Sequence, residues 1–175
     1  MRCRLGPASA LMLALAAPCL GHEVGERLPA HGALGVGLDG KLVTVGDLAG
    51  KPALLVFWAS WCGDCARELP TAEALARRWG DRAVVIGIST DASGRELRRF
   101  LRKNRERLTF PISHDESKQV AREFDVREIP TNYLIDAEGV VRWRRVGFDD
   151  EWLKELAAVL REIGRPEPAA SAGGS

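Results

Sequence analysis

At 175 residues with 46% hydrophobic content, the chain suffices for one well-filled core and is too short for two ordinary ones. Lysine plus arginine, 25, nearly balances aspartate plus glutamate, 24, so no long-range field recruits nucleic acid or an anionic membrane. The composition therefore speaks against a nucleic-acid binder.

Residues 1–21 read as a secretory signal. Arg2 and Arg4 precede the apolar run LMLALAAP, and Ala16, Ala17 and Gly21 offer small residues for cleavage. The apolar stretch from Leu5 to Leu20 is 16 residues, below the ~20 that a membrane-spanning helix usually needs. Cleavage is thus preferred over a permanent N-terminal membrane anchor. Cys19 raises lipidation as a third outcome, although Pro18 stands where a small residue is wanted. Each outcome places residues 22–164, read as one domain, in an oxidising compartment, the periplasm.

His22 to Gly40, rich in Gly, Ala and Pro, reads as an extended approach. KLVTV (41–45) alternates like a strand, and GDLAGKP brings a turn. ALLVFW (53–58) is a continuous apolar run suited to a central strand covered on both faces. A helix is predicted from near Cys62 to about Gly80, carrying Leu69, Leu75 and Trp79 inward with Pro70 as an internal kink. AVVIGIS (83–89) is the next buried strand. The basic segment RELRRFLRKNRERL follows, with Leu97, Phe100, Leu101 and Leu108 at helical spacing. It reads as a solvated helix face, with a docking patch for an acidic partner as the alternative. TFPI is a short extended piece, SKQVAREF a small helix, and NYLID and VVRWRRV two strands joined by AEG. DDEWLKELAAVLREIG closes the domain as an amphipathic helix, and 165–175 reads as a disordered tail. The order implies an α/β fold with a central mixed sheet and helices on both faces.

Of four cysteines, Cys3 and Cys19 lie in the leader, which leaves Cys62 and Cys65 in the domain. A disulfide between them closes almost no loop, so its stabilising value is small and chemistry explains it better. A strand that delivers a cysteine to a helix N-terminus makes the thiol reactive, because free N–H groups and the helix dipole favour the thiolate. Cys62 is therefore the expected attacking sulfur. Cys65, one turn later and more buried, is the expected resolving thiol. Zinc would need a second ligand pair, and His22, His31 and His114 are not spaced to supply one. Copper(I), softer, could use the two thiolates with His114, so a copper carrier stays open.

Taken in order, WASWCGDCARELP, AVVIGIS, TFPI, VREIPTNYLID and the hairpin to VVRWRRVG resemble the thioredoxin-like thiol-disulfide oxidoreductases of the TlpA/ResA type, which are exported bacterial proteins. The resemblance runs from about Arg27 to Gly164. It implies a thioredoxin fold with an N-terminal extension and a central helical insertion. It also implies a protein-disulfide reductase that needs no cofactor or metal, fed by a membrane thiol-disulfide electron donor. The implied substrates are disulfide-containing proteins of cytochrome c maturation or copper-site assembly. By the same resemblance Cys62 is the nucleophile, Cys65 the resolving thiol and Pro130 a cis-proline facing the disulfide. The backbone of Ile129 is then presented like a sheet edge to an extended substrate. Glu68 matches an acidic proton handler. Thioredoxin itself uses an aspartate in the preceding strand, where this chain has Val56.

Trp61, Gly63 and Asp64 complete the expected substrate-facing rim, with Trp58 in the core beside it and Trp79, Trp143 and Trp152 as packing. Asp64 is a departure, since the family commonly carries proline there. Its charge is expected to oppose the Cys62 thiolate, so Asp64→Pro should favour it. A thiol peroxidase shares the fold, but its reactive cysteine follows a Thr or Ser three residues earlier, where this chain has Ala59.

Overall fold

A glycine-rich composition conceals the first strand. β1 (Ala33–Gly37) and β2 (Leu42–Thr44) form an antiparallel hairpin where the composition suggests an extended approach and a single strand. Gly35 explains the difference. It has φ +97, and a Cβ there would sit 3.0 Å from the His114 carbonyl oxygen. The glycine serves close backbone approach within a sheet. The structure, a computed structural model, describes residues 21–48, 50–104 and 107–163. The signal segment apart from Gly21, and the tail, lie outside the described residues.

β3 (Ala53–Trp58) is buried at all six positions, as its unbroken apolar run requires. It leads to α1 (Gly63–Trp79), β4 (Val84–Ser89), α2 (Gly94–Asn104) and β5 (Ile112–His114). α3 (Gln119–Glu123), β6 (Thr131–Ile135), β7 (Val141–Val146) and α4 (Trp152–Glu162) complete the chain. The sheet order is β2-β1-β5-β4-β3-β6-β7. β3, β4 and β5 run parallel and the other pairings are antiparallel, so the sheet is mixed. The segment expected at TFPI begins pairing only at Ile112. Pro111 has no N–H for a ladder, and the N–H and hydroxyl of Thr109 are taken by Glu73.

Period two divides the strand side chains between two cores. Leu54, Val56, Trp58 and Leu134 meet Leu69, Leu75 and Trp79 of α1, Leu97 of α2 and Leu156 and Leu160 of α4. Leu55, Phe57, Tyr133 and Ile135 meet Val120, Ala121 and Phe124 at α3. Helices thus cover both faces, with α2 as the helical insertion between β4 and β5. Trp79, Trp143 and Trp152 are buried in the first core. Burying a side chain such as Leu75 contributes about 1.5–3 kcal/mol. α1 runs unbroken through Pro70, whose missing N–H costs one bond of the helical ladder.

Candidate active site

β3 and β4 end level with one another, Trp58 opposite Ser89, and the chain leaves β3 through Ala59, Ser60 and Trp61 into α1. A buried carboxylate holds this short turn. Asp91 accepts from the Ser60 N–H (3.1 and 3.2 Å to its two oxygens), from the Ser60 hydroxyl at 2.7 Å and from the Ser89 hydroxyl at 2.7 Å. Thr90 N–H donates to the Trp58 carbonyl at 2.8 Å, tying the two strand ends together. The loop beside the cysteines is therefore fixed from the neighbouring strand. Sequence reasoning missed Asp91, because Ser-Thr-Asp after a strand reads as ordinary loop; its place at the end of the strand next to the motif was the available signal.

Cys62 is the N-cap of α1, with extended φ −83 and ψ 116, and its Sγ accepts the Cys65 N–H at 3.1 Å. A sulfur thus fills the place usually taken by a Ser, Thr, Asp or Asn oxygen. Once the disulfide opens, a thiolate there receives a charge-assisted hydrogen bond and the favourable end of the helix dipole. Cys62 and Cys65 are joined in a disulfide with Cα atoms 5.2 Å apart. Cys65 is wholly buried, whereas Cys62 keeps 9% exposure, which matches the expected division between inner and outer sulfur.

The Ile129–Pro130 peptide is cis, as the resemblance implies. The Ile129 carbonyl oxygen lies 3.7 Å from Cys62 Sγ, and Pro130 is buried behind it. Trp61 stands 67% exposed on the rim, while Trp58 is fully buried with its ring 5.1 Å from that of Phe100. Gly63 and Asp64 are exposed beside Cys62. A Cβ at Gly63 would meet nothing within 4 Å, so the position is open to solvent. Asp64 Oδ1 accepts from Arg67 Nη2 at 2.8 Å, so the charge expected to weigh on Cys62 is shared with a guanidinium.

Glu68 lies one turn beyond Cys65 on the same side of α1 and is wholly buried. Asn132 Nδ2 donates to Glu68 Oε1 at 2.6 Å. Burial pushes the Glu68 carboxyl up to about 7, and the single Asn132 N–H, which favours the charged form, pulls the other way without cancelling it. A carboxyl that titrates near neutrality beside a buried thiol can accept or give up a proton under working conditions. His114, the third ligand that a copper carrier would need, is half-buried with Nε2 2.8 Å from the Asp91 carbonyl. Among the described residues no group of three or more His, Cys, Asp or Glu side chains gathers around a common point.

A mixed sheet whose central strand hands a CxxC pair to a helix N-terminus, facing a cis-proline loop, defines a thioredoxin-fold thiol-disulfide oxidoreductase. Comparison with known proteins agrees. Residues 24–144 match the AhpC/TSA family, and the chain belongs to that family. It is 34% identical over 113 residues to the thioredoxin-like protein YneN of Bacillus subtilis, covering 63% of this chain and 65% of YneN, just under two thirds of that protein's length. With the thiol-disulfide oxidoreductase ResA of Bacillus thuringiensis it shares 29% identity over 127 residues, 72% of this chain and 71% of ResA. Among solved structures, a Chlorobium tepidum protein assigned as thiol:disulfide interchange protein DsbE superposes with a TM-score of 0.73 at 26% identity, covering 82% of this chain and 99% of that one. The exposed lipoprotein thioredoxin Etrx1 of Streptococcus pneumoniae matches with a TM-score of 0.56 at 30% identity, covering 74% and 95%.

Proposed function

We propose that the chain is an exported, periplasmic protein-disulfide reductase cycling Cys62 and Cys65 between dithiol and disulfide. The observation that carries this is the placement of Cys62: its sulfur caps α1, faces the Ile129 carbonyl and remains the more exposed of the two. In the first step the Cys62 thiolate attacks one sulfur of a substrate disulfide, and the other substrate sulfur leaves as a thiolate. Cys65 then gives its proton to the Glu68 carboxylate and attacks Cys62 Sγ. The Cys62–substrate bond breaks, the second substrate sulfur leaves, and two electrons have passed to the substrate. The backbone at Ile129 pairs with the extended substrate segment, and Trp61, Gly63 and Asp64 form the surface it meets. A thiol-disulfide donor at the membrane restores the dithiol. The substrates implied by the resemblance are thiols awaiting haem attachment in c-type cytochromes and copper-site cysteines. Residues 1–21 act as the export signal, 22–164 as the working domain and 165–175 as a tail. Export is supported by the name of Etrx1, an exposed lipoprotein. No helix among the described residues is long and apolar enough to cross a membrane.

The reduction potential of the pair, read from tryptophan fluorescence in defined dithiol/disulfide buffers, tests this reading. A value near that of thioredoxin, about −270 mV, or lower is expected of a reductase. A value near about −120 mV would make the protein an oxidant and overturn the direction of electron flow.

A further inference from the structure

The Glu68–Asn132 contact leaves two oxygens unexplained. Glu68 Oε2 and Asn132 Oδ1 are both buried, and neither has a hydrogen-bond partner among the described residues. Each is an acceptor, so as a carboxylate and an amide the two groups make one bond and leave two buried lone-pair sites empty, an arrangement that costs about 1–3 kcal/mol per group. One proton removes both deficits. Placed on Oε2, it supplies the donor that Oδ1 lacks. Carboxyl and amide each present a two-atom edge, so turning the amide over gives the same closed pair with the atoms exchanged.

Asn132 is placed for this role by the sheet. It stands opposite Val56 on β3 and on the same face as Leu134, the face that α1 covers. Val56 is apolar, and no ion pair reaches Glu68 among the described residues, so the amide is the only polar side chain that governs the carboxyl. Asp64 and Arg67, the nearest charges along α1, are exposed and pair with each other.

We propose that Asn132 is a positioning residue that closes with Glu68 into an acid–amide pair, Nδ2–H donating to Oε1 and Oε2–H donating to Oδ1, and so stores the proton of the disulfide state. This rests on the reading of Glu68 as the proton carrier and adds the group that holds the proton. When a dithiol donor attacks Cys62 Sγ, the Cys62–Cys65 bond breaks, Cys65 leaves as a thiolate and takes the proton from Oε2. The donor's second thiolate then attacks its own sulfur in the mixed disulfide, the bond to Cys62 breaks and Cys62 leaves as a thiolate. The donor so finishes as a disulfide, while the Glu68 carboxylate keeps the Nδ2–H bond. On the return stroke Cys65 gives the proton back before attacking the mixed disulfide.

Infrared spectroscopy of the full oxidised chain tests the pair. The wild type should show a protonated-carboxyl C=O band at pH 6 that is absent in Glu68→Gln, and Asn132→Leu should move that band to higher frequency, because the acid loses both hydrogen bonds. In the exchange reaction with a small peptide disulfide, Asn132→Leu should lower kcat about 10-fold and leave KM within about twofold. If Asn132→Leu does not fold, the wild type answers alone: the Asn132 side-chain NMR signals should titrate together with Glu68, and that titration should vanish in Glu68→Gln. An Asn132→Leu band at the wild-type frequency, or Asn132 signals unmoved from pH 5 to 9, overturns the pair. A Glu68→Gln rate equal to wild type instead overturns the parent reading of Glu68 and the store with it.

Discussion

Two glutamates on α1 are both removed from solvent, Glu68 at 0% and Glu73 at 6% exposure, and they titrate in opposite directions. Burial raises the pKa of each. At Glu73 the N–H of Thr109 at 2.7 Å, its hydroxyl at 2.6 Å and Arg77 Nε at 2.6 Å more than reverse that effect, so the carboxyl titrates below its ordinary value. At Glu68 one amide does not, and the value stays near 7. Burial alone therefore identifies no reactive acid. A carboxyl wrapped in donors ties α1 to the segment before β5, whereas one left short of donors beside the cysteines is available for proton transfer.

The largest contrast is in rate. Glu68→Gln should slow disulfide exchange at neutral pH about 100-fold, the usual range for loss of a general acid–base group, while Glu73→Gln should stay within about twofold. Stopped-flow fluorescence with a peptide disulfide measures both, and equal losses in the two variants would dissolve the distinction.

Stability should separate them with opposite signs. Glu68 titrates higher in the folded chain than in the unfolded one, so it costs nothing at acid pH, and stability falls as pH rises from about 4.5 toward 7. Above that the full cost is about 3 kcal/mol, so Glu68→Gln should gain up to that amount at pH 8 and nothing at pH 4. Glu73, lowered on folding, contributes stability above its unfolded pKa that is lost as pH falls through its folded one. Glu73→Gln should therefore lose about 1–2 kcal/mol at pH 8. Urea unfolding of the oxidised protein at the two pH values reads both signs, and a Glu68→Gln protein no more stable than wild type at pH 8 contradicts the assignment.

Asp91 belongs with Glu73 in kind, a buried carboxylate satisfied by donors. Asp91→Asn should cost about 1–3 kcal/mol of stability in the same unfolding measurement, because an NH2 replaces one of the two oxygens that accept from the Ser60 N–H and the two hydroxyls. The smallest effect is expected at Asp64. Its exposed pairing with Arg67 screens the charge, so Asp64→Pro should move the thiolate absorbance titration of Cys62 downward only slightly.

Much of this was legible in the sequence for identifiable reasons. The central strand was legible because six consecutive apolar residues have no other use, and Cys62 and Cys65 because they stand at a strand-to-helix junction, where helix N–H groups favour a reactive thiol. Glu68 was singled out by the family resemblance, as a match to an acidic residue placed near the cysteines. β1 was hidden, because a glycine demanded by contact with β5 looks in composition like a flexible linker. Asn132 and Asp91 were hidden for a different reason: each acts on a residue far away in the chain, Asn132 on Glu68 and Asp91 on Ser60, and a local pattern carries no trace of pairing across a sheet.

The account stands most directly on the pH dependence of the exchange rate between the reduced protein and a peptide disulfide, wild type against Glu68→Gln, from pH 5 to 9. The wild-type profile should bend near pH 7 and the variant should lose that bend along with its rate. Superimposable profiles would remove Glu68 from the chemistry.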